Sequence, residues 1–188
     1  MKVYSCTPSR ISIFGGGTDI NPYAKEYGGA IINMAINIRQ RIILRSGDDL
    51  WEHQYSTFPY RAEPKFMYAI LKIYGINGMH HSSIESKYDG IIGAGLGSSA
   101  AAAIALIGAC RKRLNKEFDL HDMAKEAWEV ETKDMGWWGG IQDQYASLYG
   151  GLNYLTIGEF IGVSPITKQQ ANGLKTRLLL FYTGGNRQ

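Results

Sequence analysis

The stretch that decides the fold is residues 90–110, GIIGAGLGSSAAAAIALIGAC, a run of 21 residues without a charged side chain. Its first half carries four glycines, which disfavour a helix. Its second half, from Ser98, consists mainly of alanine and larger aliphatic residues, which favour one. The run therefore predicts a glycine-rich loop followed by a buried helix over residues 98–114. Three basic residues at 111–113 suit the negative C-terminal end of that helix.

The same run is long enough on paper to span a bilayer, but only residues 98–110 are convincingly helical. At 1.5 Å per residue that segment is about 20 Å long, well short of the roughly 30 Å hydrocarbon core. Residues 1–5, MKVYS, also lack the apolar core of a signal peptide. We therefore expect a soluble, cytoplasmic protein without a membrane partner.

The overall composition narrows the class of protein further. The chain has 188 residues, 20 Lys and Arg against 17 Asp and Glu, and a net charge of +3. This charge is too small to indicate a nucleic-acid-binding surface, so we expect no nucleic-acid partner. Cys6 and Cys110 lie far apart, which excludes a disulfide scaffold or a zinc ribbon. The length allows one domain, or a domain and a fragment.

Residues 93–99 carry the strongest chemical signal. A strand, a glycine-rich turn and a helix start aim several backbone N–H groups at one point, where the helix adds about half a positive charge. Small side chains let phosphate oxygens approach, and the hydroxyl of Ser98 or Ser99 can reach a Mg²⁺ ion. The pattern is not a Walker A loop and is not spaced like a dinucleotide fingerprint. A turn that serves only close packing is the alternative.

Glu131 is the first of two candidate carboxylates. An apolar helical stripe precedes it, made of Leu120, Met123, Ala124, Ala127 and Trp128. Glu131 is the next position on that stripe, so it should face inward and need a partner, because an unpaired buried charge is costly. A Mg²⁺ ion shared with Ser98 or Ser99 would be such a partner. A salt bridge to a Lys or Arg is the alternative.

Asp143 is the second candidate carboxylate. It lies in the first turn of a helix predicted over residues 140–149, on the side away from the apolar residues. An aspartate there can orient an alcohol and accept its proton during phosphoryl transfer. Capping of the first helical turn is the alternative.

The rest of the chain predicts alternating strands and helices. Strands are expected at residues 2–14, 30–45, 82–90, 151–157 and 177–183. Further helices are expected at 18–27, at 64–74 and after an N-cap at Asp119, and residues 46–63 are expected to form a loop.

Three ordered motifs resemble those of the GHMP small-molecule kinases. They are PSRISIFGGGTD at 8–19, GAGLGSSA at 93–100, and Glu131 followed by QDQ at 142–144. The FGGGTD variant, together with GGIQDQYA and YGGLN, looks most like the branch that phosphorylates D-glycero-D-manno-heptose 7-phosphate. The resemblance implies a two-layer α+β fold, the GHMP kinase N-terminal domain, which is similar to domain 2 of ribosomal protein S5.

The resemblance also implies roles for individual residues. The phosphates of ATP would be bound by Gly93, Ala94, Gly95, Leu96, Gly97, Ser98 and Ser99. Ser98 or Ser99 would hold Mg²⁺ together with Glu131. Asp143 would be the catalytic base, and Arg10 would pair with it and stabilise the transferring charge.

The sugar would be bound by Gly16, Gly17, Thr18 and Asp19, with Asp19 holding hydroxyl groups. Two alternatives stay open at this point. Arg10 could be a solvated residue at a strand edge, and Asp19 could cap the short helix that ends at residue 27, alone or in addition to binding the sugar.

The implied activity is ATP-dependent, with Mg²⁺ as the metal. It is the transfer of the γ-phosphoryl group to a sugar hydroxyl, here the anomeric hydroxyl of D-glycero-D-manno-heptose 7-phosphate. The alternatives are a kinase for another sugar, such as fucose or galactose, and a non-catalytic fragment that binds a sugar or a nucleotide. The partner is a small sugar or sugar phosphate, and a homo-oligomer stays open.

The family's third, glycine-rich motif belongs to a C-terminal domain and does not occur in this sequence. We therefore expect an N-terminal ATP-binding domain over residues 1–170, and at 171–188 only the start of a C-terminal domain that is largely absent.

Overall fold

A five-stranded antiparallel sheet forms one layer of the protein. In this computed structural model, which describes residues 1–46, 64–76 and 82–184, the strands are β1 (Lys2–Phe14), β2 (Gly29–Ser46), β3 (Ser82–Tyr88), β4 (Leu152–Ile157) and β5 (Gly162–Ile166). The long strand β2 pairs with β1 along one side. On its other side, the first part of β2 pairs with β4 and the last part with β3. Strand β5 extends the sheet beyond β4.

The helices form the second layer. They are α1 (Tyr23–Tyr27), α2 (Pro64–Ile73), α3 (Ser98–Arg113), α4 (Leu120–Glu129), α5 (Gln142–Tyr149) and α6 (Lys168–Lys175). Helix α4 continues into a π-helical turn, Val130–Asp134. Helices α3 and α5 lie against β1 and β2, and α4 packs on both of them. The result is the expected two-layer α+β fold.

Helix α3 is the centre of the main hydrophobic core. Every residue from Ala100 to Arg111 is buried, as the uncharged and mainly apolar sequence up to residue 110 predicts. Because many of its residues are alanines, the helix can approach the sheet closely, while Ile104, Leu106 and Ile107 fill the space between α2, α4 and the strands. Each of these three side chains contributes roughly 1.5–3 kcal/mol by its burial.

Most of the predicted elements are present, and the end of the chain is the exception. The strand predicted at 177–183 is wrong, since residues 178–183 have no regular structure. Strand β5 and helix α6 form instead at positions for which no element was predicted. The missed strand has the sequence GVSPI, which contains a proline and lacks a clear polar–apolar alternation.

Two predictions fall outside what the structure tests. The loop expected at 46–63 lies, from residue 47 onward, outside the described residues. Helix α6 runs across residue 170, where the boundary between the two predicted domains was placed, and that division stays a prediction. In the part of the chain that is described, no helix is long and apolar enough to cross a membrane.

Candidate functional site

One cavity of about 860 Å³ brings the three motifs together. Of the residues predicted to form the site, the cavity is lined by Arg10, Gly16, Gly17, Asp19, Gly93, Gly95, Leu96, Gly97, Ser98, Ser99, Glu131 and Asp143. Thr18 and Ala94 are not among the lining residues. The Thr18 hydroxyl instead donates to the Gly15 carbonyl at 2.8 Å and accepts from the Ala30 N–H at 3.2 Å, which closes the 15–18 turn.

The glycine loop has the backbone that its sequence demands. Gly93, Gly95 and Gly97 have φ angles of 79°, 74° and 69°, a region that residues with a Cβ rarely adopt. At Gly97 a Cβ would also lie 3.0 Å from a carboxylate oxygen of Asp143. The turn into α3 therefore requires glycine at 97, and the close approach of Asp143 disfavours a larger residue there as well.

The start of helix α3 is open toward the cavity. Its N-cap, Gly97, has no side chain to offer, and the first helical hydrogen bond is donated by Ala101 N–H to the Gly97 carbonyl. The N–H groups of the first turn before Ala101 have no carbonyl partner within the helix. Together with the helix dipole, these N–H groups give the helix start a partial positive charge that favours an anion. Binding of the ATP phosphates at this position stays a prediction.

A bulge in β1 positions Arg10. The pairing of β1 with β2 shifts register between Pro8 and Arg10. The backbone N–H of Arg10 donates to the Leu96 carbonyl at 3.0 Å, and Nη1 of its side chain donates to the Gly95 carbonyl at 2.7 Å. Arg10 thus binds two carbonyls of the glycine loop and links the first motif to the second.

Arg10 and Asp143 form a bidentate ion pair. Nε donates to Oδ1 at 2.6 Å, and Nη2 donates to Oδ2 at 2.7 Å. The expected pairing is therefore present, and Arg10 is not a solvated strand-edge residue. Both carboxylate oxygens of Asp143 bind Arg10, which favours the ion pair over capping of the first turn of α5 as the role of this side chain.

Glu131 is buried at the edge of the same cavity, on the π-helical turn. Burial raises the pKa of its carboxyl to about 7, and the negative charge of Asp143 adds to the rise, while the Ser99 hydroxyl and the Gln144 amide oppose it. The Nε2 amide of Gln144 donates a hydrogen bond to its Oε2. Gln144 and Ser99 are both uncharged, so neither is the Lys or Arg of the salt-bridge alternative.

The residues around Glu131 fit a Mg²⁺ ion. Within the described residues, Oε1 of Glu131 is buried and has no hydrogen-bond partner. The hydroxyl-bearing residues Ser98 and Ser99 line the same cavity beside the open helix start. Over the same residues, no cluster of three or more His, Cys, Asp or Glu side chains forms an all-protein metal site. This donor set suits Mg²⁺, which is held in many proteins by one carboxylate and the phosphates of a substrate.

Asp19 takes a position that neither sequence interpretation foresaw. It is buried, and its Oδ2 accepts from the Gln142 N–H at 3.0 Å, at the N-terminus of α5. Its Oδ1 accepts from the Gln142 side chain at 3.3 Å. A Cβ at position 140 would collide with this carboxylate. Asp19 therefore caps α5 rather than α1, whose N-cap, Pro22, makes no side-chain hydrogen bond.

Several lining residues were not predicted as part of the site. They are Ser12, Ile20, Trp128, Thr132, Gly136, Trp137, Trp138, Gly139, Gly140 and Gln142. The two neighbouring tryptophans point different ways: Trp137 stacks on Phe66 with ring centroids 5.3 Å apart, whereas Trp138 is 88% exposed. Gly136, Gly139 and Gly140 surround this tryptophan pair, and this cluster of glycines is the sequence signal that could have indicated that the segment lines the cavity.

Comparisons with known proteins agree with this geometry. The family model for the N-terminal domain of GHMP kinases matches residues 64–151. The chain is 29% identical to D-glycero-alpha-D-manno-heptose 7-phosphate kinase from Campylobacter jejuni over 202 residues. This alignment covers 97% of the chain and 60% of the Campylobacter protein. Over 152 residues the chain is 34% identical to mevalonate kinase from Archaeoglobus fulgidus, covering 77% of this chain and 49% of that one.

The fold has solved counterparts as well. A D-glycero-D-manno-heptose 1-phosphate kinase from Bacteroides thetaiotaomicron superposes with a TM-score of 0.75 at 26% identity, over 89% of this chain and 60% of that structure. The chain thus spans about half to three fifths of the length of these relatives.

Proposed function

We propose that this chain, whose residues 64–151 match the N-terminal domain of GHMP kinases, binds ATP with Mg²⁺ and provides the phosphoryl-transfer site of a sugar kinase. The acceptor that we propose is D-glycero-D-manno-heptose 7-phosphate, at its anomeric hydroxyl. The observation that carries the proposal is the single cavity in which the Arg10–Asp143 pair, the glycine loop and Glu131 meet.

Each group in the cavity has a task in this reaction. The open N–H groups at the start of α3 and the glycine loop bind the phosphates of ATP. Glu131, with Ser98 or Ser99, holds the Mg²⁺ ion, which neutralises charge on the phosphates when it is bound. Gly16, Gly17 and Asp19 line the part of the cavity where the sugar binds, and Thr18 shapes the turn that carries them.

Asp143 is the proposed base. The acceptor hydroxyl loses its proton to the Asp143 carboxylate while its oxygen bonds to the γ-phosphorus of ATP. The bond from that phosphorus to the bridging oxygen breaks, and ADP leaves. Arg10 holds Asp143 in place through two hydrogen bonds and brings a positive charge next to the transferring group.

A second acceptor class comes from the similarity to mevalonate kinase, 34% identical over 152 residues. The glycine loop, the start of α3 and Glu131 would serve a mevalonate hydroxyl equally well, because their proposed ligands are ATP and the metal rather than the acceptor. The acceptor must therefore be decided by experiment.

The test is a panel of acceptors with measurement of ADP release and of ATP binding. With Mg²⁺ and ATP, we expect the highest kcat/KM for D-glycero-D-manno-heptose 7-phosphate, ahead of L-fucose, D-galactose and mevalonate. A higher value for another acceptor would reassign the substrate and keep the kinase. ATP binding without ADP release from any of them would favour a nucleotide-binding fragment. Failure to bind ATP at all would contradict the proposal.

A further inference from the structure

The first turn of α5 places three consecutive side chains on three different functional groups. Gln142 donates to Asp19, Asp143 accepts from Arg10, and Gln144 donates to Glu131. The central residue has a proposed role in the reaction. The two glutamines that flank it are buried amides whose purpose the reaction itself does not explain.

We propose that Gln144 is a positioning residue for the metal: it fixes the Glu131 carboxylate so that one oxygen stays available to Mg²⁺. This inference rests on the proposed function, in which Glu131 is a Mg²⁺ ligand. Gln144 does not line the cavity, so it acts through Glu131 and does not touch ATP or the acceptor.

The two carboxylate oxygens of Glu131 differ in their hydrogen bonding. Gln144 Nε2 donates to Oε2, while Oε1 is buried without a hydrogen-bond partner among the described residues. Rotation of the carboxylate plane away from this orientation would break the bond from Gln144. The amide therefore fixes the plane of the carboxylate, with one oxygen bound to Gln144 and the other left for a cation to bind.

An amide is the suitable group for this task. A Lys or Arg in the place of Gln144 would also bind Oε2, but its positive charge would compete with Mg²⁺ for the carboxylate. The amide orients the carboxylate and leaves its negative charge intact. Gln144 is 1% exposed, so water cannot replace its hydrogen bond.

Orientation matters for this ion in particular. Mg²⁺ requires near-ideal octahedral geometry, and a carboxylate that turns freely meets that requirement only part of the time. Loss of a hydrogen bond that orients a metal ligand typically lowers metal affinity about 10- to 100-fold. The expected consequence at Gln144 is a loss of the same size in the effect of Mg²⁺ on ATP binding.

The experiment is a calorimetric titration of the protein with ATP, once in excess Mg²⁺ and once in EDTA. The ratio of the two dissociation constants measures the contribution of the metal. For Gln144→Met, an apolar side chain of similar volume, we expect this ratio to fall about 10-fold or more. The dissociation constant in EDTA should stay close to that of the wild type.

Two matched variants separate this role from the cost of removing a buried amide. Gln40 is a fully buried glutamine in β2 whose Nε2 donates to Ser86 at 2.7 Å, away from the cavity. Gln40→Met should lower stability and keep the wild-type ratio. Gln142→Met changes the same helix turn but leaves Glu131 paired, so it should also keep the ratio.

Each outcome decides the matter. A wild-type ratio in Gln144→Met would overturn the positioning role and leave the proposed function in place, and so would an equal fall in all three variants. If the wild-type protein binds ATP with the same dissociation constant in Mg²⁺ and in EDTA, this result would contradict the metal site at Glu131 and, with it, the role of Gln144.

A folding defect is tested by a second variant. If Gln144→Met does not fold, as judged by circular dichroism, Gln144→Asn keeps the amide but withdraws it by one methylene, and a smaller fall in the ratio is expected. Unfolding of both variants would assign Gln144 a structural role and overturn the inference.

Discussion

Two arginine–carboxylate pairs, each with a buried arginine and a partly buried carboxylate, lie in different regions of this protein and differ little in chemistry. Arg10 and Asp143 are 2.6 Å apart with side chains 9% and 23% exposed. Arg111 and Glu126 are 3.1 Å apart with side chains 11% and 25% exposed. Burial and charge therefore do not distinguish the pair that we place in the active site from the other one.

The neighbours of the two pairs do distinguish them. Arg111 Nε donates to the Tyr74 hydroxyl at 3.0 Å, Tyr74 donates to Glu126 at 2.6 Å, and Arg111 Nη1 donates to the Glu117 carbonyl at 2.8 Å. Burial and the Glu126 carboxylate raise the pKa of Tyr74, so it stays a donor. This network joins Tyr74, the residue after α2, to helices α3 and α4.

The Arg10–Asp143 pair opens onto the cavity, beside Glu131, one oxygen of which has no hydrogen-bond partner in the part of the chain that the structure describes. The Arg111–Glu126 pair lines neither this cavity nor the smaller one next to it. An ion pair that faces a ligand-sized space is suited to chemistry, whereas one that is enclosed by its own hydrogen bonds stabilises the fold.

The largest expected difference between the pairs is in catalysis. Asp143→Asn should lower kcat by about 100-fold or more, because the amide cannot accept the proton of the acceptor. Affinity for ATP should change little, since Asp143 acts on the acceptor side. Steady-state kinetics and ATP titration measure both. The matched change Glu126→Gln should leave kcat unchanged, and a kcat for Asp143→Asn within about tenfold of the wild type would remove the basis for the base assignment.

The second difference is in stability. Arg111→Met should lower the free energy of unfolding by about 3 kcal/mol, because it leaves the partly buried Glu126 without its cation and Tyr74 without one of its partners. Arg10→Met should cost less, since water in the cavity can solvate Asp143. Urea denaturation of both variants checks this order, and a larger loss for Arg10→Met would invert the interpretation of the two pairs.

The third test concerns the carboxylate beside the functional pair. In the metal-free protein the pKa of Glu131 is about 7, above the roughly 4.5 of an unfolded chain. Between these values the folded state binds more protons than the unfolded state. The free energy of unfolding should therefore fall, by on the order of 2 kcal/mol, as the pH rises from 5 to 8.

Glu131→Gln should remove that part of the pH dependence. Denaturation in EDTA at several pH values, for this variant and the wild type, measures the difference between them. Parallel pH profiles would show that Glu131 ionises as an exposed carboxylate does.

The smallest expected effect is within the structural network. Tyr74→Phe should lower the free energy of unfolding by about 1 kcal/mol, because Arg111 and Glu126 each lose one hydrogen bond but keep each other. Thermal unfolding with unchanged ATP binding is the measurement. Loss of ATP binding would mean that the network also shapes the site.

The candidate site could be predicted in large part because its residues lie in local patterns. Successive glycines before a run of alanines require a loop and a buried helix, and helical periodicity alone placed Glu131 inward. The same reasoning failed for residues 177–183, whose apolar composition predicts a strand. A strand needs a neighbour to pair with, and composition does not report one.

The contacts of Asp19 and Gln144 could not be predicted, although both residues belong to recognised motifs. Asp19 and Gln142 are 123 positions apart in the chain, and so their contact depends on how α5 packs against β1 and β2. Gln144 and Glu131 are only 13 positions apart, but they lie on different helices whose angle no local pattern fixes.

The sequence by itself determined the glycine loop, the buried helix after it and the inward position of Glu131, because backbone sterics and side-chain periodicity act over a few residues. The tertiary structure decided which carboxylate each side chain meets. It brought Arg10 to Asp143, as the resemblance implied, placed Asp19 at the start of α5, and enclosed Arg111 in a network away from the cavity. Those choices depend on the packing of distant segments, where a shift of a few ångströms exchanges one partner for another.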